Sequence, residues 1–228
     1  GGYLSNVWVK SHRGLASIPS VICLGCQKNF KIEGSSKLKV GGQNFYDINV
    51  RAVWGQMSTG GGHAKLSEVL GTLGVPGMRG GMFSSLEQEI GSWWHDTLVQ
   101  EMGRAAEEEK RLAVERGDFH EGVPAITVVS DGGWSKRSHK HTYNALGGVA
   151  IIVGVETGKI LHIGVRNKMC QICSVADGLQ CKPKTHECFC NWTASSQAME
   201  SDIILEGFST CEEKYGVRYM RLIADDVV

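Results

Sequence analysis

The feature that most constrains the fold is a change of pattern near Gly117, where helical spacing of apolar residues gives way to short apolar runs. Three runs follow one another, then a helical stretch at about 196–207, then a last run. The segment between the second and third runs contains Gly158, which can take the positive φ of a tight turn. The pattern predicts an antiparallel hairpin and a final strand that returns through a helical crossover. The four runs are residues 125–130, 145–154, 159–166 and 217–226.

Two of these runs end on aspartate, at Asp131 and at Asp225 followed by Asp226. A carboxylate at the end of a buried strand is costly unless a cation, a metal or a hydrogen-bonded turn compensates it. Asp131 alone fits a turn cap as well as a metal ligand. The repetition favours the metal, because parallel neighbouring strands bring both carboxylates to one sheet edge. Mg²⁺ or Mn²⁺, which prefer oxygen ligands, could be shared there.

This order of strands and helix is that of the ribonuclease-H-like fold. The sequence therefore predicts an α/β protein with a ribonuclease-H-like mixed sheet, a helical N-terminal region and a zinc-binding Cys/His insertion. We expect a β-rich arm with a Cys-x-x-Cys pair at 1–50 and a helical region at 51–117. A partial catalytic core is expected at 118–228, with the insertion at 170–190.

The clearest helical pattern lies at 84–116, where Ser84 and Glu87 match a capping box. Its second half, 101–116, carries charges of both signs, which is typical of a solvated face. A tryptophan pair at core-facing spacing favours packing over stacking on DNA bases. The apolar stripe consists of Leu86, Ile90, Trp93, Trp94, Leu98 and Met102.

The segment 170–190 concentrates five cysteines and a histidine among turn-forming residues. Thiolates and a neutral imidazole suit tetrahedral Zn²⁺, and a closed site can hold together a loop that has no core. The alternative is a set of unliganded buried thiols. Cys23 and Cys26 form a separate pair, and whether they are half of a second site stays open. The predicted zinc set is Cys170, Cys173, His186 and Cys188, with Cys181 and Cys190 as spares.

A basic stretch follows Asp131 directly. As an isolated turn it would more often be solvated, but beside a metal site it could bind the phosphates of DNA. The residues proposed to contact phosphate are Lys136, Arg137, His139 and Lys140.

Composition excludes several classes of protein. The 24 basic and 24 acidic residues give a formal net charge of +0, so polyanion binding must come from local clusters. The chain has no apolar stretch near the ~20 residues of a membrane span, and its first residues lack the pattern of a signal peptide. We expect a cytosolic or nuclear compartment, where the 8 cysteines serve as metal ligands or thiols.

Long motifs in the same order resemble the Mutator-like transposase domain, over roughly residues 21–225. The likeness implies a DDE-type transposase core that cuts and joins DNA with two Mg²⁺ ions. It also implies a nuclear location, transposon ends as DNA partners and a homo-oligomeric active assembly. The motifs are INVRAVWGQMSTGGGHAKLSEVLGTLGVPGM, FHEGVPAITVVSDGGWSKRSHKHTYNALGGV, HECFCNW, MESDIILEGF and YGVRYMRLIADD.

The resemblance assigns roles to particular residues. Asp131 matches the first acidic residue of the family, and Asp225 falls at the second, with Asp226 as the alternative. The third acid lies beyond the second in the family, so the chain is expected to be a fragment or a decayed copy. The alternatives are a catalytically inactive, domesticated DNA-binding or interaction domain and a stand-alone nuclease. The set Cys170, Cys173, His186 and Cys188 also matches the family's pattern.

Overall fold

The computed structural model describes residues 8–40, 42–135 and 145–224, and the chain divides into two compact units, Gly1–Thr97 and Leu98–Val228. In the described residues no helix has the length and apolar character that crossing a membrane requires. Some predicted site residues lie outside the described ranges: Lys136, Arg137, His139, Lys140, Asp225 and Asp226.

The strands of the first unit form two small antiparallel sheets. One sheet has the order β1-β2-β3, and the other is a hairpin of β4 and β5. Their bounds are Trp8–Arg13 for β1, Ala16–Ile22 for β2, Asn29–Lys31 for β3, Lys37–Val40 for β4 and Gln43–Tyr46 for β5.

Three helices complete the described part of the first unit: α1 (Asp47–Ser58), α2 (His63–Thr72) and the first half of α3 (Gly80–Arg116). Their apolar faces share one core, on which Trp93 and Trp94 pack as predicted. Packing therefore accounts for the tryptophan pair. The core residues are Val50, Val53, Leu66, Leu70, Met78, Phe83, Leu86 and Ile90.

The second unit is a mixed sheet with helices on one face. Its strands are β6 (Phe119–His120), β7 (Val123–Trp134), β8 (Gly147–Gly154), β9 (Ile160–Asn167) and β10 (Arg218–Ala224). The main order is β10-β7-β8-β9, and β6 pairs with β7. The β7-β8 and β8-β9 pairs are antiparallel and β10 runs parallel to β7, all as predicted.

Helix α4 (Gln171–Gly178) and helix α5 (Ala198–Tyr215) lie between β9 and β10 in the chain. The predicted turn between β8 and β9 is confirmed, with Gly158 at a φ of +64°. The core of this unit joins α3, α5 and the sheet. Its buried residues are Ala105, Ala106, Ala113, Ile126, Val128, Ile152, Leu161, Cys211, Val217 and Tyr219.

Two local predictions are wrong, and a third, that of a solvated face, is incomplete. The β7 strand does not end at Asp131 but continues to Trp134, because Asp131 to Trp134 still pair with β8. Helix α3 begins at Gly80, so Ser84 lies inside the helix and caps nothing. Its charged second half is not solvated all round, since Ala105, Ala106, Ala113 and Glu109 are buried. Because charged residues surround it in the sequence, the pattern did not indicate the narrow stripe of small residues that packs on the sheet.

Candidate functional site

The clearest candidate site is the Cys/His cluster between β9 and α5. Cys170 precedes α4, Cys173 lies in its first turn, and His186 and Cys188 come from the irregular segment that follows. One ligand atom from each of these four residues lies within 4.8 Å of all the others. The predicted set is thus brought together, and it could hold a metal ion.

The distances in the cluster suit tetrahedral coordination. His186 Nε2 lies 3.1 Å from Cys170 Sγ and 3.5 Å from Cys173 Sγ, and the sulfurs of Cys173 and Cys188 are 3.7 Å apart. Bond lengths to tetrahedral zinc place two sulfurs about 3.8 Å apart and a sulfur and a nitrogen about 3.6 Å apart. The donor atoms therefore already stand near the edges of such a tetrahedron.

Local hydrogen bonds prepare the ligands. His186 Nδ1 lies 2.6 Å from the Lys184 carbonyl oxygen, so Nδ1 donates its proton there and the unprotonated Nε2 turns its lone pair toward the sulfurs. The backbone N–H of Cys173, at the start of α4, lowers the pKa of the Cys170 thiol to about 6. The neighbouring thiol of Cys188 raises the pKa of Cys173 to about 12. A cation would relieve this crowding of thiolates.

Asn191 closes the segment onto the sheet, a role that the sequence analysis missed. Its Oδ1 accepts the N–H of Asn167 at 2.6 Å, and its Nδ2 donates to the Val165 carbonyl at 2.9 Å. The segment is thereby fixed at its exit to the end of β9. The "CNW" motif was the available signal, because an amide after the last cysteine can bond to two backbone groups at once.

The remaining cysteines lie apart from the cluster. Cys181 and Cys190 are exposed, and the Cys190 thiol donates to the Lys168 carbonyl at 3.3 Å. Cys23 and Cys26 lie in the first unit on the turn between β2 and β3, where the backbone N–H of Cys26 lowers the pKa of Cys23. In the described ranges no second group of three or more possible ligands accompanies them.

Asp131 occupies a second candidate site, on β7. Its side chain is exposed, while the alternate residues Ile126, Val128 and Ser130 are buried. Asp131 thus lies on the face of the strand opposite to the core. Among the residues described, no hydrogen bond or ion pair reaches its carboxylate.

The pairing of β7 with β10 bears on the second acidic position. Ser130, directly before Asp131, pairs with Ala224 in parallel register. Ala224 directly precedes Asp225 in the sequence. The described register therefore ends at the Ser130–Ala224 pair, and in the sequence each of these residues is followed directly by a predicted acid.

Glu200, in the first turn of α5, also belongs to this region and was missed by the sequence analysis. A Cβ atom on Gly132 would stand 2.5 Å from Glu200 Cδ and 2.7 Å from Glu200 Oε2. The Glu200 carboxylate therefore lies against the backbone of the residue after Asp131. No local signal marks this approach, because Glu200 follows Gly132 by 68 positions.

Comparison with known proteins identifies the family. The model of the Mutator-like transposase family matches residues 3–226, nearly the whole chain. Searches of curated proteins and of solved structures found no match. The family match covers both units and includes the Cys/His cluster and Asp131. The chain therefore belongs to the Mutator-like transposase family.

Proposed function

We propose that the second unit is the first part of a ribonuclease-H-like catalytic core that cleaves and joins DNA strands in a metal-dependent reaction. The observation that carries the proposal is the level of Asp131 on β7, one residue beyond the Ser130–Ala224 pair of the parallel β7-β10 ladder. Three antiparallel strands, a helix and a parallel fourth strand beside the first support this fold. Membership in a transposase family supports DNA as the substrate.

Asp131 fits a hard divalent cation. Its exposed carboxylate has no partner in the described part of the chain, and carboxylates are the ligands that Mg²⁺ prefers. The residues proposed to hold Mg²⁺ or Mn²⁺ are Asp131 and Asp225, with Asp226 as the alternative to Asp225. When bound, a pair of such ions activates the attacking oxygen and stabilises the leaving oxygen of a phosphodiester displacement.

The Cys/His cluster is proposed to bind Zn²⁺ as a structural ion. Four protein ligands leave no open position for a substrate, which is typical of a structural rather than a catalytic zinc site. The chain between β9 and α5 has α4 as its helix and little regular structure elsewhere. An ion would supply the stability that this segment does not obtain from a core.

DNA contact is proposed at Lys136, Arg137, His139 and Lys140, which follow β7 in the sequence. Cations beside the reacting phosphates would position the duplex without reading its sequence. The proposed DNA consists of transposon ends, held by a homo-oligomeric assembly in the nucleus.

The test of the catalytic proposal is metal-dependent stability. With millimolar Mn²⁺ well above its dissociation constant, the free energy of unfolding of the 228-residue chain should rise by roughly 1 to 3 kcal/mol. Asp131→Asn should abolish most of this gain, whereas Asp118→Asn, at a half-buried aspartate between α3 and β6 that pairs with Arg116, should leave it intact. A gain of equal size in Asp131→Asn would overturn the metal site. DNA binding that persists without any metal response would identify the inactive DNA-binding domain instead.

A further inference from the structure

Cys23 and Cys26 lie on an ordered turn that joins β2 to β3. The N–H of Cys23 donates to the Lys28 carbonyl at 2.9 Å, and the N–H of Gln27 donates to the Cys23 carbonyl at 2.8 Å. Gln27 takes a φ of +59°, which residues other than glycine rarely adopt, and this backbone reversal closes the turn. The positions of the two cysteines are therefore set by backbone hydrogen bonds on both sides.

The sulfur of Cys23 accepts hydrogen bonds within this turn. The donors are the backbone N–H of Cys26, the thiol of Cys26 and the backbone N–H of Gly25, and together they lower the pKa of Cys23. N–H groups that point at a sulfur stabilise the thiolate, which is the form that binds metal ions. The contact between the two thiols also places their sulfurs side by side, as two ligands of one ion require. The turn thus has the arrangement of half a tetrahedral zinc site.

The other half of such a site is missing from the first unit. A closed zinc site needs four protein ligands, and residues 1–97 contain no third cysteine. In the part of the chain that the structure describes, no histidine or carboxylate joins these two thiols in a group of three possible ligands. Cys26 is exposed and Cys23 is half-buried, so an ion on this turn would be open to ligands from another molecule.

The surface beside the turn is apolar and carries a positive charge. Leu24 on the turn is 55% exposed, and Phe30 and Ile32, at alternate positions of one extended segment, are 49% and 47% exposed. Exposed apolar side chains that lie together are typical of surfaces between proteins. Lys28, two positions before Phe30, is also exposed. Because four thiolates outweigh the charge of one Zn²⁺, a complete four-sulfur site is negatively charged and is stabilised by lysines beside it.

We infer that two copies of the chain bind one Zn²⁺ between them, each supplying Cys23 and Cys26, so that the ion is a bridge with four sulfur ligands. A second copy presents the same two thiols on the same turn, and a two-fold axis through the ion brings like surfaces together. Each copy covers the apolar side chains beside the turn of the other, and the two Lys28 side chains offset the negative charge of the site. The inference goes beyond the proposed function, since it needs neither Asp131 nor DNA.

The experiment measures the molecular mass by analytical ultracentrifugation and the zinc content of the 228-residue chain, purified anaerobically in the presence of Zn²⁺. With one ion per chain in the Cys/His cluster, the wild-type chain should hold about 1.5 Zn²⁺ per chain. Cys26→Ser, at an exposed position, should lower the zinc content to about one ion per chain and halve the mass. The matched control is the double variant Cys181→Ser, Cys190→Ser, at two exposed cysteines of the second unit, which should keep both values.

Cys173→Ser separates the two zinc sites. This variant removes a ligand of the Cys/His cluster and leaves the β2-β3 turn unchanged, so it should keep the mass of the wild-type species with about half an ion per chain. Loss of the bridge in Cys173→Ser would contradict the inference, because the two sites share no ligand.

The other outcomes distinguish the bridge from its alternatives. If wild type and Cys26→Ser have the same mass and zinc content, the turn binds no ion and the inference is wrong. If Cys26→Ser loses a whole ion per chain without a change of mass, the remaining ligands come from the same chain, which also overturns the bridge. If a reductant halves the mass of the wild-type species while its zinc content is unchanged, a disulfide joins the copies instead. If the wild-type chain is bridged but holds only about half an ion per chain, the inference stands and the zinc proposal for the Cys/His cluster fails.

Discussion

The Cys/His cluster and the sheet around Asp131 bring chemical groups together in two different ways. In the cluster, four ligands come from 19 consecutive positions, and their donor atoms lie within 4.8 Å of one another. In the sheet, Asp131 lies beside β10, whose residues follow it by about 90 positions. A turn and a short helix suffice for the first arrangement, whereas the second needs the whole second unit to fold.

The difference shows which forces hold each region. The cluster has little core of its own, so its stability should come from a metal ion. The sheet has a core of buried apolar residues and needs no ion to form. Loss of metal should therefore unfold one region and leave the other folded. The first two predictions below test this independence, and the other two concern DNA binding and the pH dependence of stability.

The largest effect is expected for Cys173→Ser. A structural zinc ion contributes on the order of 10 kcal/mol of apparent binding free energy, so loss of one thiolate should release about one Zn²⁺ per chain and unfold the segment 171–191. Metal analysis of anaerobically purified protein, with hydrogen exchange of that segment, measures both. Cys181→Ser, at an exposed cysteine outside the cluster, should retain the ion. Wild-type protein without zinc would contradict the prediction.

Glu109→Ala is expected to have the opposite effect: it should destabilise the sheet and leave the Cys/His cluster intact. The Glu109 side chain is fully buried, and its Oε1 accepts hydrogen bonds from Thr157 N at 2.8 Å and Thr157 Oγ1 at 2.9 Å. The variant frees the β8-β9 turn and leaves a cavity, which should cost about 2–4 kcal/mol of unfolding free energy. Urea unfolding measures the loss, while zinc content should stay constant. Glu107→Ala, at an exposed site on the same helix, should cost less than about 0.5 kcal/mol.

A smaller effect, on DNA binding, is expected when Lys136, Arg137 and Lys140 are all changed to Ala. Each lost phosphate contact reduces the slope of log affinity against log salt by about 0.9, so the slope should fall by about 2 to 3. Titration of a DNA duplex at several salt concentrations measures it. The matched control removes three exposed lysines of the same unit, Lys159, Lys182 and Lys214, and should keep the slope. An unchanged slope in the first variant would reject the phosphate contacts.

The smallest expected effect is the pH dependence of the unfolding free energy that His162, on β9, causes. Burial is the main reason that the pKa of His162 lies below its ordinary value of 6.5. The negative charge of Glu206 raises this pKa, whereas the positive charges of Lys214 and Arg166 lower it. The unfolded chain therefore binds more protons below pH 6.5, so stability is complete above that pH and declines as the pH falls. One group changes the free energy by at most about 1.4 kcal/mol per pH unit.

Urea unfolding between pH 5 and pH 8 measures this dependence. His162→Gln should flatten the decline, whereas His95→Gln, at an exposed histidine of the first unit, should not. A decline of the same size in His162→Gln would assign it to other groups.

Local patterns in the sequence were enough to predict several elements. Alternating and continuous apolar runs indicated the strands of the second unit, since apolar spacing reflects which side chains leave water. Gly158 marked the β8-β9 turn, and the four ligands of the cluster were identified by type and closeness in the chain. Each of these features depends on neighbours a few positions away, where the chain limits the possible distances.

Tertiary structure decided the remaining features. The burial of Glu109 against Thr157 and the approach of Glu200 to Gly132 both join residues more than 45 positions apart. The charge pattern of the sequence could not predict them. A glutamate is solvated on one face of a helix and buried on another, and the pattern does not tell which face it occupies. Long-range contacts form when the core as a whole offsets the entropy of closing long loops, so no single segment encodes them.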